Sequence, residues 1–366
     1  LHFCAVALLN FPFSTLINHK VPQKLLLLVL SITLLSIISV ACTSTNAKNT
    51  GNANVVPLVY PPNYVAPTQT DTMTLLSWNV EHFVDGHDDP YVNNRRENEV
   101  DTVQMEKKYA AFIEVLKMAD ADVVVLQEFE SASFLQHLAS TRFPELGYIT
   151  FQGHESTNWY MNVVVMSRYP LGTFYSYSPW YTAIEGQTEE DGSASVQNLV
   201  NNRMWSVEVL PNQDYQFMLT GLHLKAGRGE RNEAWRLGQI KALRAQFSRF
   251  LQLNGKQNLL VVGDFNCTPE SAEFSYLLAG DASEEATATT NKYQPSFIDP
   301  LAGTGIFSHP SDSAFWRIDH ILPDRNMLAE MVGGSVKPYT ILSPLEMKGI
   351  SDHLPMISKF VLSEQE

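Results

Sequence analysis

Leu259-Leu260-Val261-Val262-Gly263-Asp264-Phe265-Asn266 is an apolar run that ends abruptly in a carboxylate and an amide. Four consecutive apolar residues offer oily side chains to both faces of an extended strand, which suits a strand covered by other layers on both sides. The polar residues fall at the strand end, where sites are built. The same design recurs along the chain in Ser77-Trp78-Asn79-Val80-Glu81, Leu126-Gln127-Glu128, Gly221-Leu222-His223-Leu224-Lys225, Arg317-Ile318-Asp319-His320-Ile321 and Ser351-Asp352-His353-Leu354-Pro355.

Short apolar runs at 74–80, 123–128, 163–166, 217–224 and 259–262 read as strands, and amphipathic stretches at about 104–118, 233–253 and 271–278 read as helices. Strands apolar on both faces, alternating with helices, predict an α/β sandwich. Residues 181–202 and 281–290 are polar or Ala/Thr/Glu-rich and read as surface insertions between core strands.

Carboxylates and amide oxygens are the hard ligands that Mg²⁺ or Mn²⁺ prefers, and a site with one or two of them leaves room for phosphate oxygens and water. Glu128 is the best candidate ligand. Zinc fits less well, because His223, His320 and His353 do not form an H-E-x-x-H helix and Cys267 lacks a sequence partner. Trp78, Phe265 and Leu354 are expected to pack beneath the site, with His320 on the opposite strand face from Asp319.

The six ordered motifs resemble the signature of the endonuclease/exonuclease/phosphatase superfamily over residues 73–362, with Gly-Asp-x-Asn and Ser-Asp-His the most diagnostic pair. The resemblance implies a four-layer α/β/β/α sandwich with two packed mixed β-sheets flanked by helices, and a metal-dependent phosphoesterase that uses one Mg²⁺ or Mn²⁺ ion. Carried over by motif, Glu128 is the principal metal ligand, with Asn79 and Asp352 beside it. Glu81 stands where many relatives have aspartate. Asp264 orients or deprotonates the attacking water, and Asn266 positions phosphate and nucleophile. His353 contacts the scissile phosphate with Asp319 as its partner carboxylate, and His223 is the second histidine. Arg168 supports the active-site loops. Asn162 precedes the strand at 163–166 and is a candidate to face the cleft, which the sequence leaves open.

The N-terminal region differs from the rest. Lys20 and Lys24 precede an apolar run at 25–41, and a polar stretch opens with Thr43-Ser44-Thr45-Asn46. This reads as a presequence over 1–42. No methionine precedes Met73, so translation is expected to start near Val21 with 1–20 untranslated. Ser39-Val40-Ala41-Cys42 resembles a bacterial lipobox, though Ser39 stands where a large aliphatic residue is usual. A lipoprotein anchored through Cys42 is expected; an uncleaved membrane anchor and plain secretion are the alternatives, and all three export the domain. Residues 43–71, with Pro57, Pro61, Pro62 and Pro67, read as a tether, leaving 72–363 as the catalytic domain. Cys4 and Cys42 lie in the presequence, so Cys267 has no intramolecular disulfide partner and reads as a small buried residue.

A formal charge of −14 argues against charge-driven adhesion to nucleic acid or anionic lipid. The segment 225–249 is the exception, with Lys225, Arg228, Arg231, Arg236, Lys241, Arg244 and Arg249. An exported nuclease, monomeric and touching DNA or RNA through this segment, is the first expectation. The alternative substrates are a phospholipid or sphingomyelin-like diester, met through the aromatic segment 174–181, or an inositol phosphate. A binding lipoprotein without catalysis is the remaining reading.

Overall fold

The computed structural model describes residues 60–365 apart from 69–70, 88–100, 157–158, 178–179, 198–202, 256 and 281–292. The presequence, Cys42, residues 43–59 of the tether and the insertion at 281–290 therefore lie outside the described residues. Along the chain run β1 (Thr72–Phe83), α1 (Thr102–Ala119), β2 (Val123–Phe129), α2 (Ala132–Arg142), β3 (Thr150–Gly153), β4 (Asn162–Ser167), β5 (Leu171–Ser176), β6 (Thr182–Thr188), β7 (Ala194–Gln197), β8 (Met204–Val209), β9 (Phe217–His223), α3 (Glu230–Asn254), β10 (Asn258–Asp264), α4 (Ala272–Ala279), β11 (Asp319–Pro323), α5 (Arg325–Leu328), β12 (Lys337–Pro338), α6 (Pro344–Lys348) and β13 (Met356–Val361).

Two mixed sheets form, in the orders β12-β13-β1-β2-β4-β3 and β11-β10-β9-β8-β5. Each is built on a parallel pair joined through a helix: β1-α1-β2 in the first and β9-α3-β10 in the second. Each pair is flanked on both sides by antiparallel strands, β13 and β4 in one sheet, β8 and β11 in the other. The two halves thus share a plan that no repeat in the sequence reveals.

Strand parity decides the layers, since alternate side chains face opposite ways. Met73, Leu75, Val123 and Val125 pack against Trp205, Val207, Leu219, Leu260 and Val262 in the core between the sheets. Their neighbours Leu76, Trp78, Val124 and Leu126 pack outward against Phe112, Val115, Leu116 and Leu135 of α1 and α2. Met218, Leu222, Leu259 and Val261 likewise meet Ile240, Leu243, Phe247 and Leu277 of α3 and α4. The order is helix, sheet, sheet, helix, the expected four layers.

Local signals set the helix ends. Asp101 accepts hydrogen bonds from the Val103 and Gln104 N–H groups at the start of α1, and Ser271 accepts from Phe274 N at the start of α4. Each satisfies an orphan N–H donor of the first turn. Residues 181–202 do more than the sequence reading allowed. They carry the β6-β7 hairpin, and a Cβ on Gly238 of α3 would meet the Ala183 carbonyl at 1.9 Å. Glycine is required there by this close approach. The tether also ends earlier than expected: Tyr64 packs on the inter-sheet core and its hydroxyl donates to Pro211 O at 2.6 Å.

The basic segment is partly internal. Arg236 is buried, donates through Nε and Nη2 to Glu273 Oε1 at 3.0 and 2.8 Å, and donates through Nη1 to the Lys225 and Gly227 carbonyls. Arg244 is buried too, with Nη1 donating to Leu277 O. These cations hold α3 to α4 and to the loop before it, so they are not part of a substrate-facing strip. Arg236→Met is expected to lower unfolding stability by about 3–5 kcal/mol by leaving Glu273 buried without its cation, measured by urea denaturation. A loss below about 1 kcal/mol would show the pair to be dispensable.

Candidate active site

The parallel pairs of both sheets open at one edge of the sandwich, and parity aims their last residues into the gap. Asn79 shares the face of Leu75, His223 that of Leu219, Asp264 that of Val262, and Asp319 that of Ile321, all inner-core positions. His223, Asp264 and Asp319 lie side by side across β9, β10 and β11.

Glu128 reaches this gap by a different route. Parity would send it outward with Leu126, but the β2 pairings shift register between Leu126 and Phe129, and Glu128 has φ 57°. A bulge re-aims it. Glu81 and His82, with φ 45° and 48°, sit where the β1 register shifts between Asn79 and Phe83, and Asn266 has φ 51°. Left-handed backbone is uncommon for such residues, and four of the five described cases lie at this site.

Asn79 bridges the two sheets, its Nδ2 donating to Asp264 Oδ2 at 3.0 Å and to Glu128 Oε1 at 3.3 Å. Its Oδ1 accepts from Glu81 N at 3.1 Å. A flipped amide would set oxygen against two carboxylates and nitrogen against an N–H, so the network fixes the orientation. Asn79 thus links Asp264 and Glu128 across the gap, beside the carboxylates with which the sequence reading grouped it as a metal ligand. The other Glu128 oxygen accepts from His82 N at 3.2 Å.

His353 is buried, and its Nδ1 lies 2.9 Å from Asp319 Oδ2, which also accepts from Ser308 Oγ at 2.7 Å. Its Nε2 stands 3.8 Å from Asp264 Oδ2 and 3.7 Å from Asp352 Oδ1. Burial opposes charge on this imidazole, but Asp319 and Asp264 outweigh burial and lift its pKa to about 10. His223 behaves oppositely: burial, then the charges of Arg203 and His353, push its pKa well below the usual value although Asp264 Oδ2 is 3.5 Å away. One histidine is held charged and the other neutral. Burial raises the Asp264 carboxyl to about 7, with His353 pulling the other way. Asn266 N donates to Asp264 Oδ1 at 2.8 Å, and Asn266 Nδ2 to Leu224 O at 3.2 Å.

Beside Glu128 lies an oxygen-rich cradle. Glu81 Oε2 accepts from Asp352 N at 3.1 Å, and burial followed by the Asp352 charge raises the Glu81 carboxyl. Lys108 turns its ammonium into the same space, donating to Glu81 O; burial lowers its pKa to about 8 while Glu81, Glu128 and Asp352 oppose the shift. Three carboxylates gathered in one place, with a cation drawn among them, are the donor chemistry of a hard divalent ion that keeps some of its waters. The residues fit such an ion.

Sequence reading missed Lys108, His82, Arg203 and Ser308 at the site, and His309 at its mouth. Arg203 precedes β8, and burial lowers its pKa against the pull of Glu128 and Asp264. Its Nε is buried with no hydrogen-bond partner among the described residues. Arg168 is misplaced by the sequence reading: it pairs with Asp120 and Asp122 and donates to Leu146 O, at the start of β2. That is the far end of a seven-residue strand from Glu128, so it supports the α1–β2 turn and not the active-site loops. Asn162 ties loops together, its Oδ1 accepting from Ser156 N at 3.1 Å and its Nδ2 donating to Glu130 O.

His320 is on the outer face against Phe265 and Phe274, with Nε2 3.2 Å from the Cys267 carbonyl. Burial drives its pKa down to about 3 and the Cys267 thiol up to about 12. Trp78 lies below the site, donating from Nε1 to His353 O at 2.9 Å.

A buried carboxylate flanked by a charged and a neutral imidazole, opposite an acidic cradle, is machinery for hydrolysing phosphoesters. A family model described as Endonuclease/Exonuclease/phosphatase family matches residues 76–353, and the chain belongs to that family of phosphoester hydrolases. No curated protein sequence matches the chain. Among solved structures, ANGEL2, a 2',3'-cyclic phosphatase in complex with adenosine-2',3'-vanadate, superposes with a TM-score of 0.51 at 15% identity over 79% of this chain and 95% of that one. The human Nocturnin catalytic domain gives 0.47 at 18% identity over 81% and 96%. A family protein from Bacteroides thetaiotaomicron gives 0.47 at 15% over 79% and 94%. At these identities the likeness is one of fold.

Proposed function

We propose that the chain is a divalent-metal-dependent phosphodiesterase acting on nucleic acid outside the cytoplasm. The observation that carries this is the convergence of Asp264, His223 and His353 on one inter-sheet gap whose other wall is the Glu128 cradle. Glu128 and Asp352, with Glu81 and Lys108 tuning the charge around them, would hold one Mg²⁺ or Mn²⁺ ion. When bound, that ion supplies positive charge against the phosphoryl oxygens.

The protein's own groups do the rest. Asp264, its carboxyl raised toward neutrality, takes the proton of the attacking water while the Asn266 N–H fixes its second oxygen. His353, kept cationic by Asp319, faces a non-bridging oxygen, and His223 donates near the leaving group. Arg203 adds a cation whose Nε is uncommitted among the described residues.

Nucleic acid is favoured over lipid by the rim. Arg228 lies 3.9 Å from the Trp316 ring centroid, and Lys225 and Arg231 each lie 5.4 Å from that of Trp235, pairing cations for phosphates with rings for bases. The aromatic segment that a lipid reading would use is instead largely packed: Phe174 on Trp205, Tyr175 on Phe250, and Tyr177 buried against Trp180. The presequence, with lipidation at Cys42 or an uncleaved anchor, supports export, and we propose a monomer. Among the described residues no helix is long and apolar enough to cross a membrane.

Single- and double-stranded DNA, RNA, sphingomyelin and phosphoinositides, each offered with Mg²⁺, Mn²⁺ or EDTA, form the test. Cleavage of a nucleic acid that EDTA abolishes is expected; turnover confined to a lipid, or undiminished by EDTA, would refute the proposal. The pH profile follows from the two shifted groups. Asp264 is a competent base only above its raised pKa of about 7, and His353 stays charged until about 10. Turnover is expected to rise through about pH 7, stay level, and fall near pH 10. A profile flat from pH 5 to 8 would remove Asp264 as the base.

A further inference from the structure

One histidine at the site mouth, His309, has no part in the hydrolysis described above, yet it stands beside Asp352 and His353, which do. His309 Nε2 lies 3.5 Å from Asp352 Oδ2, and His353 Nε2 lies 3.7 Å from Asp352 Oδ1. The three ligand atoms fall within 4.8 Å of one another. We propose that His309, Asp352 and His353 form a second metal site, selective for an imidazole-seeking divalent cation of the Zn²⁺ type, and that occupancy of this site inhibits the enzyme. The inhibition rests on the hydrolase reading above; the site itself does not.

The two sites share Asp352, and their other donors tell them apart. Two imidazoles and a carboxylate are the donors Zn²⁺ takes in open sites, where three protein ligands leave a fourth position for water, whereas Mg²⁺ prefers oxygen alone. Bonds of about 2.1 Å at tetrahedral angles require donor atoms roughly 3.4 Å apart, so the observed separations need only side-chain rotation to close.

Two further features preorganise the ligands. The Asp319 carboxylate takes Nδ1 of His353 at 2.9 Å, leaving Nε2 for the metal, and a carboxylate behind a ligating imidazole fixes its tautomer and raises its basicity. The His309 ring is held by its stack on Trp316, at 6.0 Å and 14°, and lies 4.7 Å from the His353 ring. Its Nδ1 is buried with no hydrogen-bond partner among the described residues. Asp352 is 47% exposed at its side chain, so the cluster is open to an arriving ion. A cation seated here would displace the Nε2 proton of His353 to solvent, because a ligating imidazole must be deprotonated, and so remove the donor that His353 turns toward phosphate, which makes inhibition the expected consequence.

The test uses His309→Phe, which keeps a ring against Trp316 but has no ligand atom, beside His309→Ala and Glu128→Gln. Zn²⁺ binding is measured by competition with a chromophoric chelator in excess Mg²⁺, and hydrolysis of bis(p-nitrophenyl) phosphate is followed as Zn²⁺ is added. Wild type is expected to bind one Zn²⁺ and to be inhibited as that ion binds. Both His309 variants should keep Mg²⁺-supported turnover while their inhibitory Zn²⁺ concentration rises at least about tenfold, in line with the loss of a ligand or its support. Glu128→Gln should lose turnover yet still bind Zn²⁺. Unchanged Zn²⁺ binding in both His309 variants would overturn the proposal. Zn²⁺ binding through His309 in a protein that hydrolyses no phosphoester would uphold the site and refute the hydrolase reading alone.

Discussion

Asp264→Asn is expected to lower turnover by about 10³-fold, within the range that loss of a positioned general base produces. The change keeps the side chain's size and, through the amide oxygen, the hydrogen bond from Asn266 N. It removes the capacity to take a proton, and it sets a second NH₂ group toward Asn79 Nδ2, which now donates to Asp264 Oδ2 at 3.0 Å. A group that acts only as the reaction proceeds affects kcat and leaves KM within a few-fold. Steady-state kinetics on the cleaved nucleic acid would check this. A fall of less than about tenfold would move the base role to another group, with His223, held neutral beside Asp264, the natural replacement.

The reasons Asp264 could be found without a structure, and others could not, are geometric. Asp264, His223 and Asp319 obey strand parity: each lies an even number of residues from an inner-core neighbour, so alternation alone aims them into the gap. Glu128 breaks that rule. Parity sends it to the helix side, and only a residue with φ 57° at a register shift brings it in. Its motif betrayed it, whereas its periodicity would have hidden it. Glu81 and Asn266 share that left-handed backbone, which no propensity of glutamate would suggest.

Other residues carried no signal of either kind. Lys108 sits on the amphipathic helix α1, where a lysine ordinarily marks a solvated face, and only the packing of α1 beside the end of β1 turns its ammonium toward Glu81. His309 and Ser308 belong to an irregular stretch before β11 that has no period to read. Arg236 and Arg244 misled in the opposite sense. They read as part of a basic strip, yet Glu273 and the Leu277 carbonyl hold them inside the fold. Linear charge density does not distinguish a cation spent on architecture from one left for a substrate.

His353→Ala is expected to cost about 10²- to 10³-fold in kcat, the scale of losing one preorganised contact to developing charge. Asp319→Asn probes how that contact is maintained. The asparagine keeps a group near Nδ1 and can still accept from Ser308 Oγ, but it withdraws the negative charge that holds the imidazole protonated against its burial. Turnover should fall by about 10²-fold, and the double variant should be no slower than His353→Ala alone, because residues acting as one unit are not additive. The pH profile supplies a separate reading. His353 is charged below its folded pKa of about 10, so removing Asp319 lowers that pKa and moves the alkaline limb to lower pH. If the single losses multiply in the double variant and the alkaline limb stays near pH 10, Asp319 acts on the site by some route other than the imidazole it touches.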